Sequence, residues 1–225
     1  MIPWALLGQT PIPGSRDELQ LWRRGAEFSI RVSNHDGDLM NSRMHGSEDA
    51  LAHLGCEHLK TSPRANVLIG GLGMGFTLAA ALNTLPVGAT VTVAELVPEV
   101  VTWNRGPLGE CAGQPLLDPR ASVQTGDVGA LLKPRKPAYD AILLDVDNGP
   151  NALTRAGNHW LYSTEGLAAS FASLRKNGVL AVWSVAPDEK FTDRLERVGF
   201  AVRTVTARAR PGKGARHTIW LASKG

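Results

Sequence analysis

The pattern of apolar and polar residues along the chain changes character near residue 60. Before that point, LQLWRRGAEFSIRV (19–32) alternates apolar and polar residues, and NHDGD (34–38) supplies a turn before LMNSRM (39–44). Alternation bounded by turn residues is typical of antiparallel strands, so this region predicts two or three short strands. The next segment, GSEDALAHLGCEHL (46–59), predicts a helix with Ser47 as its N-cap.

From Asn66 onward, strand-like and helix-like segments alternate. This alternation is typical of a mainly parallel sheet with helices on both faces, and FAVRTVTA and HTIWLAS near the C-terminus predict a terminal antiparallel hairpin. The predicted fold class is α/β, a Rossmann-like doubly wound sheet with a small N-terminal β appendage. We place the appendage and its helix at residues 1–60 and the main domain at residues 61–225. Such a sheet binds its ligand at the carboxyl ends of the central strands.

Composition narrows the class of protein only slightly. The 225 residues, 43% of them hydrophobic, suffice for one α/β domain with a small addition. The net charge of +3 permits an acidic partner without requiring one. Cys56 and Cys111 lie far apart and outside any His or Cys cluster, so we expect no metal site, no disulfide framework and a reduced cytoplasmic setting. Prolines interrupt the apolar N-terminus, which predicts a surface-packed arm rather than a membrane segment.

The segment NVLIGGLGMGFTLAAAL (66–82) carries the first candidate chemistry. Gly71, Gly73 and Gly75 follow an apolar strand and precede a helix, where the lack of a side chain lets backbone amides approach a ligand. A dinucleotide, a nucleoside sulfonium, a phosphate or a tight turn with no ligand would each fit such a loop. The GxGxG spacing is tighter than the dinucleotide fingerprint, so it favours a nucleoside and makes 61–225 a predicted nucleoside-binding domain.

Acidic residues end the next two predicted strands. Glu95 follows the loop by about twenty residues, where a carboxylate can accept hydrogen bonds from both ribose hydroxyls. Asp127, after ASVQTG, could meet the adenine amino group. The alternatives are structural, since Glu95 could cap the helix after it and Asp127 could N-cap VGALL.

The fourth predicted strand ends in two more acids, Asp145 and Asp147. Repulsion between two close carboxylates can raise the pKa of one of them and ready it to accept a proton from a nucleophile, for which an amine would be suitable. For Asp147 the alternative is a simple turn with Asn148, Gly149 and Pro150.

Four further candidate site residues are not at the ends of predicted strands. His45 could lie over the site or serve in capping and packing, and Trp103 could shelter an adenosine or pack in the core. His159 and Trp160 follow the acidic strand, where either a substrate-facing wall or a simple lid contact is expected.

These segments together resemble the spermidine synthase family, which shares the fold of the class I S-adenosylmethionine-dependent methyltransferases. The resemblance covers roughly residues 39–225 and depends on the order of NVLIGGLGMGFTLAAAL, VAELVPEVV, DPRASVQTGD and YDAILLDVDNGP. It implies a homodimer in which Glu95 binds ribose, Asp127 and Val128 flank adenine, the glycine loop lies under the sulfonium tail, and Asp145 is the carboxylate at the reacting centre.

The departures from the family pattern change the expected reaction. The family carries an aspartate in its glycine loop, whereas GGLGMG has none, and Asn148 stands where the family has a second aspartate that seats the polyamine. A missing acid removes a charge that would repel the carboxylate of intact S-adenosylmethionine. The sequence therefore favours methyl transfer to a small acceptor. Aminopropyl transfer from decarboxylated S-adenosylmethionine, or a silent nucleoside-binding homologue, are the alternatives. We expect neither a membrane nor a nucleic-acid partner, although arginines lie near the last hairpin.

Overall fold

The strands form two sheets in a computed structural model that describes residues 2–134, 136–146, 159–210 and 213–225. The smaller, antiparallel sheet follows chain order and contains β1 (Ala5–Pro11), β2 (Glu18–Arg24), β3 (Glu27–Val32) and β4 (Met40–Asn41). The N-terminal segment lies at the surface as predicted, but Ala5–Pro11 is an edge strand that pairs with β2 rather than an irregular arm. The appendage therefore has four strands rather than two or three.

The larger sheet has seven strands. They are β5 (Asn66–Gly70), β6 (Thr90–Glu95), β7 (Ala121–Thr125), β8 (Tyr139–Leu144), β9 (Leu174–Ser184), β10 (Ala201–Arg210) and β11 (Lys213–Ser223). Their spatial order is β10-β11-β9-β8-β5-β6-β7. The strands from β9 to β7 are parallel, whereas β11 runs antiparallel to both β9 and β10. The predicted fold class, a mainly parallel doubly wound sheet with a C-terminal hairpin, is confirmed.

Six α-helices accompany the strands in the described ranges. They are α1 (Gly46–Cys56), α2 (Phe76–Thr84), α3 (Pro98–Arg105), α4 (Val128–Leu132), α5 (Thr164–Ser173) and α6 (Glu189–Val198). Helix α5 ends at Ser173, because Leu174 is extended and pairs with Tyr139 of β8. None of the helices in the described ranges is both long enough and apolar enough to cross a bilayer.

Side-chain alternation along the central strands builds a core on each face of the larger sheet. On β5, Val67 and Ile69 join one cluster while Leu68 joins the other; on β8, Leu143 and Leu144 divide in the same way. The first cluster continues into α1, α2 and α3 and into the inner side of the smaller sheet. The second cluster contains α4, α5 and α6. The smaller sheet is thus packed against the same face as the first three helices.

The strand order reverses direction at β5, whose two neighbours are β6 and β8. In a doubly wound sheet this switch point opens a crevice at the carboxyl ends of the strands. The ends of β5, β6 and β8 are Gly70, Glu95 and Leu144, so the glycine loop, Glu95 and Asp145 converge there.

Candidate functional site

The glycine loop joins β5 to α2, and its three predicted glycines all have left-handed backbone conformations. The φ angle is 92° at Gly71, 51° at Gly73 and 85° at Gly75, values that a residue with a Cβ rarely adopts. A Cβ on Gly71 would also collide with the backbone oxygen of Asp145. Gly71 and Gly73 line a cavity at the sheet edge, whereas Gly75 is the N-cap residue of α2 and lies outside the set that lines it. The loop therefore presents two of its three glycines to a ligand.

Glu95 is buried at the end of β6 and holds the glycine loop in place. One of its carboxylate oxygens accepts a hydrogen bond from the backbone N–H of Leu72 at 2.8 Å, and the other accepts one from Val97 at 2.9 Å. Burial raises the pKa of Glu95, and these backbone hydrogen bonds oppose that shift. The backbones of Gly73 and Leu96 also interact with this carboxyl group, which lines the cavity. The bond to Val97, the residue before α3, matches the structural alternative that the sequence left open, whereas the sequence did not indicate the bond to Leu72. Ribose binding by Glu95 stays a prediction.

Asp127 is the N-cap of α4, because its side chain accepts a hydrogen bond from the backbone N–H of Gly129 at 2.8 Å. This is the structural alternative that the sequence left open. Asp127 and Val128 nevertheless line the same cavity as Glu95. Their positions are compatible with the predicted adenine contacts, which remain untested.

The cavity at the sheet edge has a volume of about 300 Å³. Its floor consists of the loops after β5, β6, β7 and β8, and residues of the smaller sheet and its connecting loops cover it. The lining combines apolar side chains with a few acids, an arrangement typical of small-molecule sites. The covering residues are Ile12, Ser15, Asp17, Leu19, Ile30, Val32, His35, Leu39 and Met40.

Asp145 follows β8 and is only partly exposed. Its Oδ2 atom accepts a hydrogen bond from the Thr77 hydroxyl at 2.5 Å. Removal from water raises the pKa of Asp145 to about 6, and the Thr77 hydrogen bond opposes that shift. Two further predicted site residues, Asp147 and Asn148, lie outside the described residues.

A second cavity of about 90 Å³ adjoins the first, and it reveals an acid that the sequence analysis missed. Glu48, in the first turn of α1, lines this cavity together with Asp145 and Thr77. Removal from water, and then the charge of Asp145, raise the pKa of Glu48 to about 7. Glu48 lies in a segment that resembles the family, but its approach to Asp145 depends on tertiary packing. The two cavities share Leu39, Met40, Gly73 and Asp145.

The N-cap prediction for α1 was wrong. The helix begins at Gly46, His45 occupies the cap position without a side-chain cap bond, and the Ser47 hydroxyl donates to Glu48 at 2.6 Å. The Ser47 side chain is therefore engaged by the acid that follows it.

The other predicted site residues are not among the described residues that line the two cavities. His45 stacks on Phe76, with 4.0 Å between ring centroids, and its Nδ1 atom lies 2.8 Å from Asp49. Trp103 is buried in the core, which confirms the packing alternative. His159 is exposed, and Trp160 packs near Gly129 of α4. Neither His159 nor Trp160 belongs to the described lining of the two cavities.

Within the described ranges, no group of three or more His, Cys, Asp or Glu side chains is placed so that it could hold a metal ion.

The two acids of the smaller cavity predict a distinctive pH dependence of stability. Their folded-state pKa values of about 7 and about 6 exceed the ordinary values of 4.5 and 3.8. As the pH rises from about 4 to about 7, the unfolded chain releases these protons before the native state does, so the native state loses stability. For Glu48 alone we expect a loss on the order of 2 kcal/mol between pH 5 and pH 8.

Urea unfolding at pH 5 and pH 8 measures this effect as a difference between variants. Glu48→Gln should lose less stability over this range than the wild type, because it lacks the titrating carboxyl. Glu196→Gln, which removes an exposed carboxyl of α6, should behave like the wild type. Burial also lowers the pKa of His217. This contribution to the pH slope is the same in the wild type and in the variants, so it drops out when their slopes are compared. Equal pH slopes for the wild type and Glu48→Gln would contradict the prediction.

Comparison with known proteins identifies the fold. No family model matches the chain, and no curated protein sequence matches it. Among solved structures, a spermidine synthase in complex with the transition state analogue AdoDATO superposes with a TM-score of 0.75 and 18% identity, covering 98% of this chain and 72% of that one. A spermidine synthase from Thermotoga maritima gives a TM-score of 0.75 and 17% identity with the same coverage. The chain therefore has the fold of spermidine synthases.

Proposed function

We propose that this protein is a transferase that moves the aminopropyl group of decarboxylated S-adenosylmethionine to a small amine. The observation that carries the proposal is the position of Asp145, which lines both the larger cavity and the smaller one. One carboxyl group thus faces the space suited to a nucleoside and the space suited to a short chain. The fold shared with spermidine synthases supports this choice over methyl transfer.

The larger cavity would bind the nucleoside part of the co-substrate. Glu95, at the end of β6, would accept hydrogen bonds from ribose hydroxyls, and Asp127 and Val128 would flank the adenine. Gly71 and Gly73 leave room beside Asp145 for the sulfonium. The covering residues of the smaller sheet would exclude water, which strengthens electrostatic interactions inside the cavity.

The chemistry requires an uncharged amine nitrogen to attack the methylene carbon bonded to sulfur. A carbon–nitrogen bond forms, the carbon–sulfur bond breaks, and its electron pair neutralises the sulfonium, leaving methylthioadenosine. Asp145 would accept the proton that the nitrogen loses, in the manner of a general base. With a pKa of about 6, Asp145 is mostly ionised at neutral pH, as this role requires. The protein otherwise contributes alignment of the two reactants.

Methyl transfer remains the second candidate because the loop GGLGMG contains no acid. The structure weakens this argument, since Glu48 brings a carboxyl group from α1 to a cavity that Leu72, Gly73 and Met74 of the loop also line. An acid therefore lies close to the loop although the loop sequence lacks one.

The released nucleoside distinguishes the two reactions. The purified protein is incubated with a small amine, such as putrescine, and with either intact or decarboxylated S-adenosylmethionine, and the nucleoside products are identified by mass spectrometry. We expect methylthioadenosine from the decarboxylated form. S-adenosylhomocysteine from the intact form would instead establish methyl transfer.

Binding is measured separately, by the thermal stability of the protein with each sulfonium compound, with methylthioadenosine and with NAD, since a ligand of the native state raises Tm. Stabilisation by the nucleosides without turnover would indicate a silent homologue. A response to NAD alone would contradict the nucleoside assignment. The homodimer stays a prediction, for which light scattering of the purified protein is the direct measurement.

A further inference from the structure

The smaller cavity combines two acids with apolar walls. Glu48 and Asp145 provide carboxyl groups, and Thr77 provides a hydroxyl. The remaining wall is mostly apolar and includes Leu39, Met40, Leu72, Met74, Phe76 and Trp183. Within the described ranges, no lysine, arginine or histidine lines this cavity. An apolar space with two acids and no cation favours a ligand that is itself an alkyl chain with a positive charge.

Both carboxyl groups have accepting capacity that the described residues leave unused. Glu48 accepts a hydrogen bond from the Ser47 hydroxyl at 2.6 Å and interacts with its own backbone N–H and with the charge of His45. Asp145 accepts a hydrogen bond from Thr77 at 2.5 Å. Neither acid forms an ion pair with a described lysine or arginine. A carboxylate has about four lone-pair positions, so each acid can accept further hydrogen bonds from a bound ammonium group.

The position of Glu48 is fixed by packing around the start of α1. A Cβ on Gly46 would lie 2.8 Å from the backbone oxygen of Arg208, so the helix terminus meets β10 at a point where a side chain does not fit. His45, the residue before the helix, stacks on Phe76 of α2 with an interplanar angle of 9°. These contacts hold the first turn of α1, and therefore Glu48, against both the hairpin and α2.

We propose that Glu48 is a specificity-determining residue, which together with Asp145 binds the terminal ammonium of an alkylamine chain and disfavours a chain that carries a carboxylate. The inference rests on the proposed function, because it assigns a role within the same site. Two sources could supply the ammonium, namely the aminopropyl tail of the sulfonium compound and the far end of the acceptor amine. The chemistry at Glu48 is the same in both cases, and the experiment separates them.

The test measures affinities by titration calorimetry for the wild type, Glu48→Gln and Glu196→Gln. Methylthioadenosine, which has no ammonium, serves as the internal reference for nucleoside binding. The first arm compares decarboxylated with intact S-adenosylmethionine. The second arm compares putrescine with n-butylamine on protein saturated with methylthioadenosine, so that the second ammonium group is the difference between the two ligands.

We expect Glu48→Gln to reduce the preference for the ammonium-bearing ligand in one arm by about ten-fold or more, since hydrogen bonds to charged groups have this magnitude. Loss in the first arm identifies the tail as the source of the ammonium, and loss in the second arm identifies the acceptor. The affinity for methylthioadenosine should not change. Glu196→Gln, with the same charge change at an exposed position of α6, should match the wild type in both arms.

Three outcomes would overturn the inference. One is a wild-type protein that binds methylthioadenosine but shows no preference in either arm. A second is a Glu48→Gln variant that keeps the wild-type preferences in both arms. The third is an equal loss of affinity for every ligand, methylthioadenosine included, which would show a structural role for Glu48. Failure of every nucleoside to bind would instead contradict the proposed function.

Discussion

Asp145→Asn is expected to lower kcat by about a hundred-fold to ten-thousand-fold, the range typical of a lost general base. Asparagine keeps the size of the side chain and can still accept a hydrogen bond from Thr77, so the nucleoside cavity keeps its shape. It cannot take up the proton that the attacking nitrogen must lose. The measurement is steady-state turnover of decarboxylated S-adenosylmethionine with putrescine, together with the Kd of methylthioadenosine, which should stay close to that of the wild type.

Thr77→Val provides the companion variant for this prediction. It retains the Asp145 carboxyl but removes the hydrogen bond that lowers its pKa. The rising limb of the pH–rate profile should therefore move to higher pH, with activity recovered once the acid ionises. Full turnover by Asp145→Asn would exclude Asp145 as the base.

Glu95→Ala is expected to lose both nucleoside binding and a substantial part of the stability. The sequence alone suggested a ligand-binding residue whose removal leaves the fold intact. In the structure, however, both carboxylate oxygens accept backbone hydrogen bonds from Leu72 and Val97. Leaving two such amides without partners costs about 1–3 kcal/mol each when they are buried. We therefore expect a loss of about 2–5 kcal/mol in the free energy of unfolding.

Urea unfolding and methylthioadenosine titration together check this prediction. Glu95→Gln is the matched control, because its amide oxygen can still accept one of the two hydrogen bonds, and its loss of stability should be smaller. If Glu95→Ala unfolds at the wild-type midpoint, Glu95 does not brace the loop. If it binds methylthioadenosine with wild-type affinity, the ribose assignment is wrong.

The larger sheet was predictable because its central strands are buried on both faces. Segments such as VLIG and AILL are continuously apolar, and the glycines that follow the first of them mark a strand-to-loop junction. The convergence of Gly71, Glu95 and Asp145 followed from the rule that parallel strands present their carboxyl ends at one edge. These features depend on local patterns, which a sequence displays directly.

The features that were missed depend on tertiary contacts. Ala5–Pro11 contains a glycine and ends in proline, and it becomes a strand through pairing with β2. The residues after Ser173 continue the helical sequence pattern of α5, but Leu174 begins strand β9 and pairs with Tyr139. Glu48 lies far from Asp145 in sequence, and only the packing of α1 brings the two acids to one cavity.

The contact between Gly46 and the backbone of β10 links the Glu48 side of the site to the terminal hairpin. The predicted adenosine contacts lie on loops at the edge of the parallel sheet, whereas the Glu48 carboxyl belongs to a helix held against the hairpin and, through His45 and Phe76, against the start of α2. Substitutions near Arg208 would therefore act on the start of α1 from outside both cavities. A designer seeking altered selectivity has strand β10 as a starting point away from the cavity wall.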